Sequence, residues 1–118
     1  MCELEYHICL SIGLCAVATR VIREFANSGD TCRVCDVSGV GQDVGPWMHA
    51  TDPDRSITVG VDEVLRVCCD DEQSIWWLTV ALPCGVEFGV FDSGFIFLRG
   101  DGPIVAAIAK EFAAILRG

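Results

Sequence analysis

Cysteine and histidine are the residues of this chain whose types could do chemistry. Cys32 and Cys35 have the Cys-x-x-Cys spacing of half a zinc site. The chain has no second pair of that spacing, and the adjacent Cys68 and Cys69 are poorly placed to ligate one metal. If residues 31–37 form a strand, Cys32 and Cys35 face opposite ways. We therefore predict no metal and no cofactor, and cysteines that are mostly free, reduced and buried.

The two histidines, His7 and His49, do not complete a catalytic pattern. Nothing in the sequence places a particular cysteine beside either of them, as a Cys–His nucleophilic pair requires. Asp52 and Asp54 lie near His49 and could act as acid and base or bind a metal, but a charged loop tip explains them as well. Gly-rich phosphate loops and nucleophile elbows are absent from the sequence. An enzyme built on the 38–56 loop is therefore the weakest of three functional hypotheses.

Composition limits the class of protein. The 118 residues are 52% hydrophobic, which favours a single folded domain over residues 1–118 and argues against disorder. A net charge of −9 disfavours direct nucleic-acid binding, which needs a basic surface. The sequence shows no signal-peptide pattern, and no apolar run approaches the roughly 20 residues that span a bilayer. These features predict a cytoplasmic protein without membrane contact.

Residues 74–99 predict a three-stranded meander that organises the fold. Pro83-Cys84-Gly85 and Asp92-Ser93-Gly94 are predicted as three-residue hairpin loops of one kind, and they separate runs rich in β-branched and aromatic residues. The two loops fix the register between the strands. The predicted pairs are Leu82–Val86, Val80–Phe88, Leu78–Val90, Phe91–Phe95, Val90–Ile96, Phe88–Leu98 and Glu87–Arg99.

Alternation along these strands predicts two different faces of the sheet. One face carries no charge and is the predicted core: Trp76, Leu78, Val80, Leu82, Val86, Phe88, Val90, Ile96 and Leu98. The other is predicted to hold Ile75, Trp77, Thr79, Ala81, Glu87, Gly89, Phe91, Phe95, Phe97 and Arg99. On this second face Glu87 and Arg99 form a charge pair, and Gly89 leaves a dent that an aromatic ring could cover.

The remaining elements complete an α+β fold. We predict a mainly antiparallel sheet of four to six strands, with two helices, one of them C-terminal, packed on one face. The predicted strands cover 3–11, 31–37 and 57–61, with a helix beginning near Cys2 as the alternative for the first. The predicted helices cover 14–27 and a segment from Pro103 whose apolar stripe is Ile104, Ile108, Phe112, Ile115 and Leu116.

Two segments leave alternatives open. Residues 62–69 form either a helix capped by Asp62 or a strand beside the meander that places Arg66 next to Trp77, and the strand is slightly favoured. Residues 38–56 are interrupted by glycine and proline and are predicted to be a long loop. In that loop Trp47 is costly to expose, so we expect it to fold back as a plug that could cover the aromatic face.

The aromatic residues of the second face are the best functional clue, because another part of the chain or a partner must cover them. The first hypothesis is a non-enzymatic interaction protein that uses this face for homodimerisation or for binding a protein partner. In this reading Trp77 and Phe97 serve association more than folding. The second hypothesis is a binding module for an organic cation or apolar ligand, since an aromatic surface beside a carboxylate suits cations. The candidate binding residues are Trp77, Phe91, Phe95, Phe97, Glu87 and Trp47.

In size, acidity and architecture the chain resembles many small bacterial or phage accessory proteins, such as immunity proteins and phage-encoded inhibitors. That resemblance is one of shape and charge alone, and it transfers no residue roles.

Overall fold

The computed structural model describes residues 4–117, which fold into a seven-stranded antiparallel sheet and four α-helices. The strands are β1 (Leu4–Cys9), β2 (Thr31–Val40), β3 (Ile57–Gly60), β4 (Ser74–Ala81), β5 (Glu87–Phe91), β6 (Phe95–Gly100) and β7 (Ile115–Leu116). The helices are α1 (Leu14–Phe25), α2 (Val44–Ala50), α3 (Val61–Cys68) and α4 (Pro103–Glu111), with a 3-10 turn at Leu10–Ile12. The strand order is β3-β2-β4-β5-β6-β1-β7. The α+β class is confirmed, while the predicted numbers of strands and helices are too low.

The register of the central meander is confirmed. Val80 pairs with Phe88, Phe88 pairs with Leu98, and Phe97 lies on the opposite face of the sheet. The alternation of side chains therefore buries Phe88 completely. The two hairpin loops differ, however. Gly85 takes the left-handed position of the first loop as predicted, whereas Asp92 and Ser93 both adopt positive φ in the second.

All four helices contribute buried side chains to one core, which they share with the inward residues of the meander. Two ion pairs tie the helices together: Arg20 of α1 with Glu111 of α4, and Arg66 of α3 with Asp43 at the start of α2. Within residues 4–117, no helix covers the other face of the sheet, where Trp77, Phe91 and Phe95 point.

The segment 62–69 is a helix, so the favoured strand prediction is wrong. Val61, Val64 and Val67 recur at helical spacing, and all three are buried against the core. Asp62 and Glu63 occupy the first turn, where a negative charge favours a helix. Arg66 does not approach Trp77; its guanidinium donates hydrogen bonds to Asp43 and Glu63.

The segment 38–56 is also more ordered than predicted. β2 continues to Val40 past an irregular pairing that follows Asp36, a residue with φ of 53°. A short helix, α2, then replaces the expected loop. Trp47 is buried, as a plug would be, but it belongs to the core on the helical side of the sheet. It therefore does not cover the aromatic face.

The first strand and helix follow their predictions with shorter bounds. β1 begins at Leu4 in the described chain, and Glu3, where the strand was predicted to begin, lies outside the described residues, as does Cys2. Leu10 was predicted to continue the inward face of the strand, but it enters the 3-10 turn and is exposed. α1 ends at Phe25, two residues earlier than predicted.

The C-terminal helix ends at Glu111, which corrects the predicted apolar stripe. Its buried residues are Val105, Ile108 and Ala109, whereas Ile104 is exposed. Ile115 and Leu116 are not helical; they form β7 and pair with β1. The reversal occurs at Ala113, whose φ of 53° closes a turn in which the Ala114 N–H donates to the Ala109 carbonyl.

Replacing Ala113 by glycine is expected to raise the free energy of unfolding by about 1 kcal/mol. The left-handed conformation costs a residue with a Cβ roughly that amount, and glycine adopts it without the steric conflict. Ala107→Gly, inside α4, is the matched control and is expected to lower the free energy of unfolding by about 1 kcal/mol. Urea titration of both variants checks the sign, and an equal loss in the two would show that Ala113 is not strained.

Cys15 and Cys69 form a disulfide between α1 and α3, so these two are not free thiols as expected. The other five cysteines within residues 4–117 are free, as predicted for most of them, but not all of them are buried. Cys9 and Cys84 are free but exposed, while Cys32 is buried. Cys32 and Cys35 face opposite sides of the sheet, as the alternation of a strand requires. No helix within residues 4–117 is long and apolar enough to cross a membrane.

Candidate functional site

Four aromatic rings form a continuous row across the helix-free face. His7, Phe95, Phe91 and Trp77 come from β1, β6, β5 and β4 in that order, and we call them the aromatic row. The ring centroids are 3.8 Å apart for His7 and Phe95, 5.2 Å for Phe95 and Phe91, and 4.6 Å for Phe91 and Trp77. These spacings lie close to the distance between neighbouring strands. The row is therefore a direct product of the strand order.

Three of the four rings of the aromatic row are stacked on one another across the strands. The planes of His7 and Phe95 differ by 20°, and those of Phe95 and Phe91 by 14°. Rings on adjacent strands can stack face to face only if their planes are roughly perpendicular to the line that joins the two strands. Phe91 is 47% exposed, whereas Phe95 and Trp77 are half-buried. The rings of His7, Phe95 and Phe91 thus turn their faces towards one another, whereas the ring of Trp77 is tilted by 55° against Phe91.

Phe97 belongs to the same face but is enclosed by the protein itself. A Cβ at Gly89 would overlap the Leu78 carbonyl oxygen and lie 3.0 Å from the Phe97 ring, so the ring fills the dent that glycine leaves. The guanidinium carbon of Arg99 lies 4.7 Å from the centroid of the ring. As a result Phe97 is only 4% exposed. Sequence reasoning identified the dent and the ring, but it treated Phe97 as a surface anchor.

A compact ionic cluster lies beside Phe97. Arg99 donates one hydrogen bond to Glu5 at 3.0 Å and another to Glu87 at 2.5 Å, which confirms the predicted Glu87–Arg99 pair. The Nε2 of His7 lies 2.6 Å from the second oxygen of Glu5. The hydrogen bond from His7, and then that from Arg99, hold the pKa of Glu5 below its ordinary value, although burial opposes them. Both carboxylates of the cluster, Glu5 and Glu87, are therefore already hydrogen-bonded within the chain.

The regularly paired strand residues of the helix-free face carry balanced charges, although the whole chain is strongly acidic. Among the strand residues whose alternation places them on this face, Glu5 and Glu87 are opposed by Arg33 and Arg99. Two negative and two positive charges cancel, whereas the chain as a whole carries −9. The excess negative charge therefore resides elsewhere, in the helices, the loops and the remaining strand positions.

The other residues assigned to the two faces of the meander lie on the predicted face, with two exceptions. Trp76 was assigned to the core face but is 44% exposed, because it lies near the start of β4, at the end of the sheet. Ile75 was assigned to the outer face but packs against the core, where the pairing of β2 and β4 is irregular. His7 was not among the predicted binding residues. Its alternation placed it on the polar side of β1, but only the pairing of β1 with β6 brings it to Phe95.

Two clefts border this face. One, of about 250 Å³, lies at the end of the aromatic row and is lined by His7, Cys9, Phe95, Ile115 and Arg117 among others. The other, of about 270 Å³, includes Arg33, Arg55 and Glu87. Neither cleft encloses a nucleophile with a base in hydrogen-bonding contact, as covalent catalysis would require. Across residues 4–117 no group of three or more metal-ligating side chains is arranged for a metal.

The predicted acid–base candidates near His49 are engaged in a local turn. Asp52 accepts a hydrogen bond from the backbone N–H of Asp54 and pairs with Arg55 at 3.7 Å. These contacts are typical of an aspartate that stabilises a loop.

Comparison of the chain with models of known families, with curated proteins and with solved structures gives no match. The functional proposal therefore depends on the geometry of the aromatic row and its surroundings. That geometry offers an apolar contact surface on a rigid sheet, flanked by charges that are paired within the chain.

Proposed function

We propose that this chain is a small acidic, non-enzymatic interaction protein, and that its aromatic row binds a second copy of the chain. The observation that carries the proposal is the position of the row. It lies on a sheet face that no helix covers within residues 4–117, while all four helices pack on the other face. Aromatic residues at the centre of an interface supply much of the binding energy in protein complexes.

The charge distribution supports a second copy as the partner. Two chains of net charge −9 repel each other over most of their surfaces. The paired strand residues of the helix-free face, Glu5, Glu87, Arg33 and Arg99, balance one another, so two copies meet less repulsion there than over the rest of the surface. A two-fold axis across the aromatic row would bring like against like, as symmetric dimers do.

A site for an organic cation receives less support from the same geometry. Glu87, the carboxylate expected to attract the cation, is hydrogen-bonded to Arg99. It also lies at the opposite end of β5 from Phe91. Cations bind the faces of aromatic rings, whereas the faces of Phe95 and Phe91 are turned towards neighbouring rings of the row. An apolar partner surface therefore suits the row better than a cation does.

A cytoplasmic accessory role, such as that of an inhibitor or an immunity-like protein, is the wider setting of this proposal. Acidity and small size favour it, and the acidic remainder of the surface could steer a basic partner. A disulfide is unusual in a cytoplasmic protein, where such bonds tend to be transient or redox-sensing. In a cytoplasmic protein, the Cys15–Cys69 bond would therefore be of this transient or redox-sensing kind.

The double variant Phe91→Ser with Trp77→Ala is expected to convert a dimer into monomers at micromolar concentration. Each aromatic anchor contributes on the order of 2 kcal/mol, which is about 30-fold in the dissociation constant, and each occurs twice in a symmetric interface. Sedimentation equilibrium measures the change, and circular dichroism confirms that the variant stays folded.

Ile104→Ser is the matched control for this experiment. Ile104 is 48% exposed, like Phe91, but it lies on α4 on the other side of the sheet. Its replacement is expected to leave the dissociation constant unchanged. A wild-type chain that remains monomeric up to millimolar concentration would refute the proposal, and so would equal dissociation of the control.

A further inference from the structure

The disulfide between Cys15 and Cys69 is a second feature that could react chemically, and it lies apart from the aromatic row. Both cysteines are exposed, and the bond joins the start of α1 to the end of α3 on the helical side of the sheet. A thiol in solution can therefore reach either sulfur without opening the core. This accessibility distinguishes it from a buried structural bond.

The two sulfurs lie at helix ends of opposite polarity. Cys15 is the second residue of α1, whose N-cap is Gly13 and whose first turn contains no acidic residue. The free N–H groups and the positive end of the helix dipole therefore favour a thiolate at Cys15. Cys69 is the C-cap of α3 and is followed by Asp70, so the carbonyl end of that helix and a neighbouring carboxylate disfavour a thiolate there. Arg66, the basic residue of the last turn, is hydrogen-bonded to Asp43 and Glu63.

Thr19 adds a hydroxyl group to this site. Its Oγ1 lies 4.0 Å from the sulfur of Cys15 and 3.9 Å from that of Cys69, at the outer limit for a hydrogen bond to sulfur. When the disulfide opens, the hydroxyl can donate to the sulfur that becomes anionic. The Thr19 hydroxyl can therefore stabilise a thiolate on either Cys15 or Cys69.

We infer that the Cys15–Cys69 bond is a thiol–disulfide exchange site for small thiols, in which the incoming thiolate attacks Cys69 and Cys15 leaves. The attack forms a bond between the incoming sulfur and Cys69 and breaks the Cys15–Cys69 bond, whose electron pair stays on Cys15 as a thiolate. A second thiolate then attacks the incoming sulfur of the mixed disulfide and releases Cys69 as a thiolate. Two thiols are thereby oxidised to a disulfide, and the protein disulfide is reduced by two electrons.

The neighbouring free cysteines do not compete in this exchange. Burial raises the pKa of Cys68 to about 12, with a further increase from nearby Cys32, and burial raises the pKa of Cys32 to about 11. Both thiols are therefore protonated at neutral pH, and a protonated thiol is a poor nucleophile. The exchange depends on the incoming thiol, and it does not rearrange the protein's own cysteines.

The regiochemistry of the first step can be measured on the wild-type protein. The oxidised protein is treated with glutathione under native conditions, quenched with acid, alkylated and mapped by peptide mass spectrometry. The expected early product carries glutathione on Cys69 and the alkyl group on Cys15. Glutathione on Cys15, an equal division between the two, or no reaction in the folded protein would each overturn the inference.

A charge placed at the start of α1 tests the role of the helix end without removing either cysteine. Ala16→Glu, in the exposed first turn of α1, is expected to slow opening by glutathione about twofold to fivefold, because the carboxylate opposes a thiolate at Cys15. Ala107→Glu, an exposed site on α4, makes the same change in net charge and is expected to leave the rate unchanged. Equal rates for the two variants would show that the helix end does not select Cys15.

Discussion

Replacing Phe88 by alanine is expected to lower the free energy of unfolding by about 3–5 kcal/mol. The ring is fully buried at the centre of the meander, where its neighbours across the strands are Val80 and Leu98. Removing it takes away the transfer energy of the ring and leaves a cavity that the sheet cannot close by moving one strand. Chemical denaturation followed by tryptophan fluorescence measures the loss.

Phe91→Ala is the matched control, because it makes the same change on the same strand at a site that is 47% exposed. In the monomer this variant is expected to cost less than about 1 kcal/mol. A loss at Phe91 as large as that at Phe88 would contradict the assignment of the two faces. The comparison should be made at a concentration where the chain is monomeric, since the proposed association also stabilises the wild type.

The meander was predictable because its two independent signals agree. The alternation of apolar residues in β4, β5 and β6 and the spacing of the two hairpin loops each specify the same register. A shift of one residue would have moved Glu87 or Arg99 into the core. The second loop shows the limit of this reasoning, since Asp92 and Ser93 adopt left-handed conformations that their residue types only tolerate.

The helix α2 was not predicted, and for α3 the helix was the less favoured of two alternatives, for a different reason. Both are short, and short apolar runs fit a helix and a strand about equally well when read alone. For α3, Val61, Val64 and Val67 already showed the helical spacing, and two acids in the first turn supported it. For α2, glycine and proline suggested a loop, whereas burial of Val44 and Trp47 stabilises the helix. Tertiary packing decided both segments.

The composition of the aromatic row could be predicted only in part. Phe91 and Phe95 face each other across a tight loop, so their contact follows from the local sequence. His7 is brought to the row by the pairing of β1 with β6, whose partners are about ninety positions apart in the chain. The burial of Phe97 depends on Arg99 and on the absence of a side chain at Gly89, and sequence reasoning recognised only the second of these.

The Cys15–Cys69 disulfide could not be predicted from the sequence. The connectivity of eight cysteines cannot be deduced from their spacing, and the expectation of a reducing compartment argued against any bond. The slightly favoured alternative also placed Cys69 on a strand beside the meander. Only after residues 61–68 are recognised as a helix that packs against α1 does the approach of Cys15 and Cys69 follow.

Reducing the Cys15–Cys69 bond is expected to lower the free energy of unfolding by about 4 kcal/mol. The bond closes a loop of 54 residues, and a crosslink of that span removes much of the conformational freedom of the unfolded chain. This loop contains most of α1 and all of β2, α2, β3 and α3, so the bond restricts that whole region in the unfolded state. Denaturation of the oxidised protein with and without a reducing agent measures the difference.

Cys15→Ser separates this effect from other consequences of a reducing agent. The variant is expected to have the stability of the reduced wild type and to be insensitive to the reductant. Cys84→Ser, which replaces a free and exposed cysteine, is expected to retain the stability and the reductant sensitivity of the wild type. If reduction changes the free energy of unfolding by less than about 1 kcal/mol, the crosslink does not constrain the unfolded chain as the 54-residue span requires. A large effect would instead mean that exchange of the Cys15–Cys69 bond with thiols also changes the stability of the whole fold.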